Sequence, residues 1–511
     1  MTEKLMTENS NCNNCNGHND RNDYIETSTG KWEVVIGLEV HAQVISNSKL
    51  FSTAATEFGS SPNENVSFVD AALPGVLPVI NSFCVDQAIK TGLGLNGHVN
   101  LVSRFDRKNY FYADLPQGYQ ISQYKYPIIS GGYIDIEKDD GRIRRVNLER
   151  IHIEQDAGKS IHDQSPNKSF IDLNRSGIAL MEIVTKPDMR SADETSVFLQ
   201  KLRSILRYLG TCDGNMEEGS MRADVNVSIR RPGADYGTRA EVKNVNSFKF
   251  ITAAINFEVE RQISLLENGG VVDQETRLFD TSTGQTRVMR SKEDAQDYRY
   301  FPEPDLPPLV LSEERIETIR KTIPELPDAK TARLQHDFDL PHYDAALISA
   351  DKETADFYER ALNSKGTPTK DFAKMLANWM LGELFSCLNK SGKNISESNV
   401  SAENLAELIN LIKTDVISGK IAKEVLELMW DSGKRASEIV EEKGLKQITS
   451  ADEIEKVAKE VLTENESKVA EYKSGKDKLF GFFVGQSMKK MGGKANPQVL
   501  NEVLKKLLSE T

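Results

Sequence analysis

From Trp32 to about Ile323, apolar and polar positions alternate in short runs, the period-two pattern of strands with one buried face. Val34, Ile36, Leu38 and Val40 interleave with Val35, Gly37, Glu39 and His41. Ile151 and Ile153 sit between Arg150, His152 and Glu154. Ala223, Val225, Val227 and Ile229 alternate with Asp224, Asn226 and Ser228, and Ala240 and Val242 with Glu241 and Lys243. Two helices interrupt the strands. One follows Ser191, which makes a capping box with Glu194, carries Leu199, Leu202, Ile205, Leu206 and Leu209, and stops at Gly210. The other runs from about Ser247 to Gly269. After Pro368 the only proline is Pro497 and helical spacing takes over. Leu405, Leu408, Ile409 and Ile412 form one stripe; Val425, Leu426, Met429 and Trp430 form another, with Gly433 and Gly444 between segments. The expected fold is α+β: a large β-rich domain over residues 31–323, then two small all-α domains over 324–437 and 438–511.

Composition narrows the class. The 511 residues carry 64 Lys and Arg against 77 Asp and Glu, a net charge of −13. That excludes a globally basic nucleic-acid coat, so any RNA contact has to come from a local patch. Of five cysteines, Cys84, Cys212 and Cys387 are far apart, which argues against a disulfide scaffold and for a reducing, cytoplasmic setting. No apolar run reaches the ~18 residues a membrane span needs, and the first residues lack the apolar core of a secretion signal. Residues 1–30 stand apart. Seven asparagines lie between Asn9 and Asn22, and Cys12, Cys15 and His18 have no fourth ligand nearby, so a solvated, disordered tail is expected.

The candidate chemistry lies on the polar strand faces. Glu39 and His41 are two residues apart on a strand and point the same way, ~7 Å apart at the backbone. Glu154, Asp224 and Glu241 hold comparable positions on other strands. Carboxylates with one imidazole suit Mg²⁺ or Mn²⁺. Residues 155–160 (QDAGKS) end like a phosphate-binding P-loop, but the required glycine is replaced by Ile153 inside a strand, so the fold is not a P-loop. A small-residue turn followed by Lys159 and Ser160 still offers phosphate chemistry. The aromatic–basic stretches 105–112, 119–124 and 297–305 are candidates for stacking a base or an unpaired RNA end. Between Lys473 and Lys494 six lysines face one acid, Asp477, a local excess of +5 suited to a phosphate backbone.

These blocks carry a resemblance. Residues 35–43 (VIGLEVHAQ), 73–78 (LPGVLP), 105–112, 119–123, 153–160 (IEQDAGKS), 216–220 (MEEGS), 241–248 (EVKNVNSF), 297–304 and 485–489 (GQSMK) occur in the order seen in the B subunits of aspartyl/glutamyl-tRNA amidotransferases. The chain resembles that family from about Trp32 to Thr511. The resemblance implies a β-rich cradle, a helical middle domain and a YqeY-like tail. It also implies partners: an amidase, the A subunit, which makes ammonia from glutamine; a small C subunit; and mischarged tRNA(Gln) or tRNA(Asn). The implied enzyme is an ATP-dependent carbon–nitrogen ligase that uses ATP and Mg²⁺ to phosphorylate the tRNA-bound Glu or Asp side chain, then replaces the phosphate by ammonia. Glu39, His41, Glu154 and Glu241 are then expected as metal ligands. Lys159, Ser160 and Lys243 are expected phosphate contacts, and Glu154, Lys159, Asp224 and Lys243 catalytic groups, with Glu217 and Glu218 in reserve. Lys476, Lys478, Lys489 and Lys490 are expected to hold tRNA. Gln155 stands where some relatives have Glu, so it receives no ligand role. Cys84 and Cys212 are isolated, so the cysteine-bound zinc of some members is not expected. The rival classes are an RNA-binding scaffold without catalysis and a metal-dependent phosphohydrolase.

Overall fold

A computed structural model describes residues 23–138, 140–291, 297–364, 366, 368–448 and 450–510. The Cys12, Cys15 and His18 segment lies outside them. The chain divides into two compact units, the first ending at Pro324 and the second running from Glu325 to Thr511. Among the described residues no helix is long and apolar enough to cross a membrane.

The first unit is built on an eleven-stranded sheet. Its centre is the long Gly30–Gln43 strand, flanked by Met221–Arg230 on one side and Ala179–Thr185 on the other; Ile143–Gln155 follows beyond Ala179–Thr185. Ala240–Lys243 extends the sheet past Met221–Arg230. These neighbours are antiparallel, whereas Ala240–Lys243 pairs in parallel with Glu275–Asp280. That parallel pair is joined through the Phe248–Glu267 helix, the long crossover that parallel strands require. This helix packs against Met221–Arg230 and against a second helix, Ala192–Leu209. A separate three-stranded sheet, Tyr119–Ser122, Asp106–Asn109 and Phe301–Pro302, stands beside the large one.

The two expected helices form, with one correction at a cap. Ser191 Oγ accepts from Glu194 N at 3.1 Å, but the Glu194 carboxylate does not return the bond to Ser191. It accepts from Arg190 N at 2.8 Å and pairs with Arg144 at 2.9 Å. The capping box is therefore half made, because the Arg190 backbone amide and the side chains of Arg144 and Lys138 take the carboxylate. Gly210 closes the helix at φ 68°, a left-handed position that glycine takes without a Cβ clash. Strict alternation fails in the first half of the central strand. Trp32 through Leu38 are buried on both faces, and only from Glu39 onward does one face open.

The second unit is all-helical. The Ala436–Glu442 helix runs across the expected division at 437/438 and packs on Ala402–Lys413 and Gly419–Ser432, burying Ala436, Ile439 and Val440. The last helices close a core of their own, with Ile454, Ala458, Phe483, Leu500 and Leu504 at its centre.

Candidate active site

Strand register brings the chemistry together. His41 lies directly opposite Glu182 on one neighbour and Arg222 on the other, and Glu182 lies opposite His152. His152, Glu182, His41 and Arg222 thus form one row across four strands, all on the face that carries Glu39 and Glu154. The row lines a cavity of about 740 Å³, bounded on another side by residues of the small sheet.

Two imidazoles and two carboxylates close a ring at its floor. His41 Nε2 lies 3.4 Å from both Glu154 and Glu182, and His152 Nε2 lies 3.4 Å and 3.2 Å from the same two carboxylates. Burial pulls both imidazoles down, but the hydrogen bonds and charges of Glu154 and Glu182 outweigh it, carrying His41 up to about 10 and His152 to about 9. Burial pushes both carboxylates up, yet the histidines hold them well below the usual range. Ligand atoms of His41, Glu154 and Glu182 lie within 4.8 Å of one another, and His152 Nδ1 is buried with no partner. Once an ion displaces the His41 proton, two carboxylates and one imidazole are a donor set for a hard divalent ion.

A second acidic group adjoins the first. Glu39 pairs in register with Asp224, accepts a bond from Asn226 at 3.2 Å, and is raised by burial and by the charges of Glu182, Glu241 and Asp224. Lys243 bridges Asp224 and Glu241, 3.0 Å from the latter. Burial pulls its ammonium down, but the two carboxylates overcome that and lift it to about 12.

Of the expected residues, Glu39, His41, Glu154, Asp224, Glu241 and Lys243 line this cavity. Lys159 and Ser160 do not: they lie on a hairpin with Phe170–Asp172, and Lys159 is exposed. The turn before them is also committed elsewhere. Gly158 N donates to Asp114 O at 2.8 Å, Ala157 N to the Asp156 carboxylate at 2.9 Å, and Arg175 holds the carbonyls. Its amides are not available to a phosphate. Glu217 and Glu218 sit exposed in a turn outside the cavity lining.

Sequence reasoning missed Glu182, whose strand (ALMEIVT) reads as a buried run; one acid in an otherwise apolar strand was the available signal. It also left unassigned His152 and three cations of the lining, Lys108, Arg150 and Arg239. None of the three has an ion pair among the described residues, and Arg150 Nε is buried with no partner. Burial works against the charge on Lys108, but the charges of Glu154, Tyr300 and Glu182 outweigh it and raise the ammonium. Cys84 and Cys212 are buried, their thiols pushed up to about 11 and 12, and no cysteine lines the cavity. In the second unit Lys476 is paired with Glu471 at 2.9 Å, and Lys490 with Glu460 at 3.1 Å and Glu464 at 2.7 Å; Lys478 and Lys489 have no ion pair among the described residues.

The strands that build this floor lie in a stretch of sequence that matches a described catalytic domain. Residues 34–317 match the GatB/GatE catalytic domain and residues 356–508 the GatB domain. The chain is 62% identical to the B subunit of the aspartyl/glutamyl-tRNA(Asn/Gln) amidotransferase of Acidiphilium cryptum, over 95% of this chain and 99% of that one. The proteins of the same name from Granulibacter bethesdensis and Gluconobacter oxydans are 59% and 58% identical over equal shares. The chain belongs to the family of aspartyl/glutamyl-tRNA(Asn/Gln) amidotransferase B subunits.

Proposed function

We propose that the cavity activates the side-chain carboxylate of Glu carried by tRNA(Gln), or Asp carried by tRNA(Asn), by ATP-dependent phosphorylation, and then exchanges the phosphate for ammonia. The observation that carries this reading is the meeting, in one cavity, of an acid cluster with metal-ligand spacing and of cations without an ion pair among the described residues. A carboxylate oxygen attacks the γ-phosphorus and ADP leaves; ammonia then attacks the acyl carbon, phosphate leaves, and the amide remains on the tRNA. Both steps gather anions, so charge neutralisation dominates the barrier. His41, Glu154 and Glu182, with Glu39 beside them, would hold Mg²⁺, which when bound neutralises charge on the transferring phosphoryl group. Lys108, Arg150 and Arg239 are the cations left to meet phosphate and carboxylate oxygens, whereas Lys243 is balanced by Asp224 and Glu241 and orients them.

Ammonia requires another source. Releasing it from glutamine needs an activated nucleophile, and the buried thiols of Cys84 and Cys212 are poor ones. A companion amidase fills that role in this reading, and delivery by a protected route spares the acyl phosphate from water. The test is amidation by the assembled complex of each mischarged tRNA. Glutamine and ammonium salts should both support ATP-dependent amidation by the complex, and ammonium alone should support it in the isolated chain. ATP hydrolysis indifferent to mischarged tRNA, with no amide formed, would refute the proposal.

A further inference from the structure

One wall of the cavity is aromatic rather than charged. The rings of Tyr124 and Tyr300 lie parallel, 4.4 Å between centroids and 10° apart, and both line the cavity. Tyr298 meets Tyr300 edge-on at 6.1 Å, and Lys108 Nζ lies 5.0 Å from the Tyr298 centroid. Tyr124 is 48% exposed, so this pair is not simply core.

The wall is held in place from behind. Tyr124 follows the Tyr119–Ser122 strand and Tyr300 precedes Phe301–Pro302, and both strands pair with Asp106–Asn109, which carries Lys108. Asn109 donates its side-chain amide to the Tyr298 and Arg299 carbonyls, each at 2.9 Å. Arg299, between the two tyrosines, is fixed at φ 42°, a strained position for a non-glycine residue that persists only where the surroundings enforce it. Glu303 then clamps the segment through Arg107 at 2.7 and 2.8 Å. Burial, with the charges of Glu154 and Glu182 adding to it, pushes the Tyr300 hydroxyl up to about 12, so the wall stands within the electrostatic reach of the floor.

A rigid π face beside cations and a cluster of metal-ligand donors matches a ligand that is planar and uncharged at one end and polyanionic at the other. An aspartyl or glutamyl side chain has no π surface to offer it. A nucleotide has one: a base on ribose stacks on an aromatic ring while its phosphates meet cations. We propose that Tyr124 and Tyr300 form the stacking platform for an adenine ring, with the phosphate-bearing side of that nucleotide directed toward Lys108 and Arg150. Adenine enters this chemistry in two ways, as the base of ATP and as the 3′-terminal base of tRNA. The assignment rests on the reading above only for that choice of base.

The experiment compares Tyr124→Ala, Tyr124→Phe and Tyr300→Ala in the full complex. In the nucleotide arm, affinity is measured for a non-hydrolysable ATP analogue and for inorganic triphosphate. In the tRNA arm, KM is measured for mischarged tRNA ending in adenosine and for the same tRNA ending in a pyrimidine. Removing the ring should weaken an adenine-bearing ligand by roughly ten-fold or more. Phe should restore it, and inorganic triphosphate should bind all variants equally. A loss confined to the ATP analogue assigns the platform to ATP. A KM rise seen only for tRNA ending in adenosine assigns it to the tRNA end. Alanine variants that fold and keep both constants within two-fold, or lose inorganic triphosphate equally, overturn the platform. A complex that forms no amide yet loses ATP-analogue affinity on Tyr124→Ala would sink the amidation reading and leave the platform standing.

Discussion

At the scale of single residues, Glu182 carries the sharpest expectation. It touches both imidazoles of the floor, so Glu182→Gln should weaken Mn²⁺ binding and reduce ATP-dependent activation by a factor on the order of 10². Electron paramagnetic resonance of bound Mn²⁺ checks the first, and wild-type values for both would remove Glu182 from the ion site. A different residue tests stability. Lys49 is fully buried, held by Asp70 at 3.1 Å, Asn65 O at 2.6 Å and Leu173 O at 3.2 Å. Lys49→Met strands the Asp70 charge and should cost about 3–5 kcal/mol in denaturant melts, whereas a loss under about 1 kcal/mol would contradict that account. Polar residues in alternating strands were legible one by one, which is why Glu39, His41 and Glu154 could be named. Glu182 was not, since what marks it is its neighbours across the sheet, and register is invisible in a single strand. Lys159 shows the converse: a phosphate-like spelling whose amides the fold uses internally.

Elements explain how that register is enforced. The N-terminal half of the central strand is buried on both faces, and Glu33 within it is met by Arg190 and Arg230 from two neighbouring segments. Burial pushes the Glu33 carboxyl up, but the hydrogen bond of Arg230 and the charge of Arg190 win and hold it below 4.5. Its stabilisation is therefore complete above about pH 4.5 and is lost as pH falls through the lowered value. Glu33→Gln should flatten the acid side of the stability–pH curve and leave its slope above pH 5 unchanged; an unaltered acid limb would show that the pair contributes nothing. The period-two pattern announced these strands because each must hide one face. It could not announce that Glu194 would leave Ser191 for the backbone amide of Arg190 and for two tertiary partners, Arg144 and Lys138.

At the scale of the whole molecule, the first unit holds the charged, aromatic cavity and the second closes a helical core of its own. We expect Lys478 and Lys489, which have no ion pair among the described residues, to meet tRNA phosphates. Changing both to Ala should lower tRNA affinity and reduce the slope of log affinity against log salt by up to about one per contact. Changing Lys476 and Lys490, already balanced by Glu471, Glu460 and Glu464, should alter that slope less; equal slopes for the two double variants would leave the lysines as a solvated face. The sheet's order also governs how the chain is made. Its central strand, Gly30–Gln43, emerges from the ribosome early, while both flanking strands, Ala179–Thr185 and Met221–Arg230, are made well over a hundred residues later. At about 5–20 residues per second, the strand's residues 34–43 wait on the order of ten seconds or more with both edges unpaired, only residues 30–33 having a partner already made in Tyr24–Thr27. Nascent chains in that interval expose a sticky segment, so synthesis of this protein depends on keeping the strand soluble until its neighbours arrive.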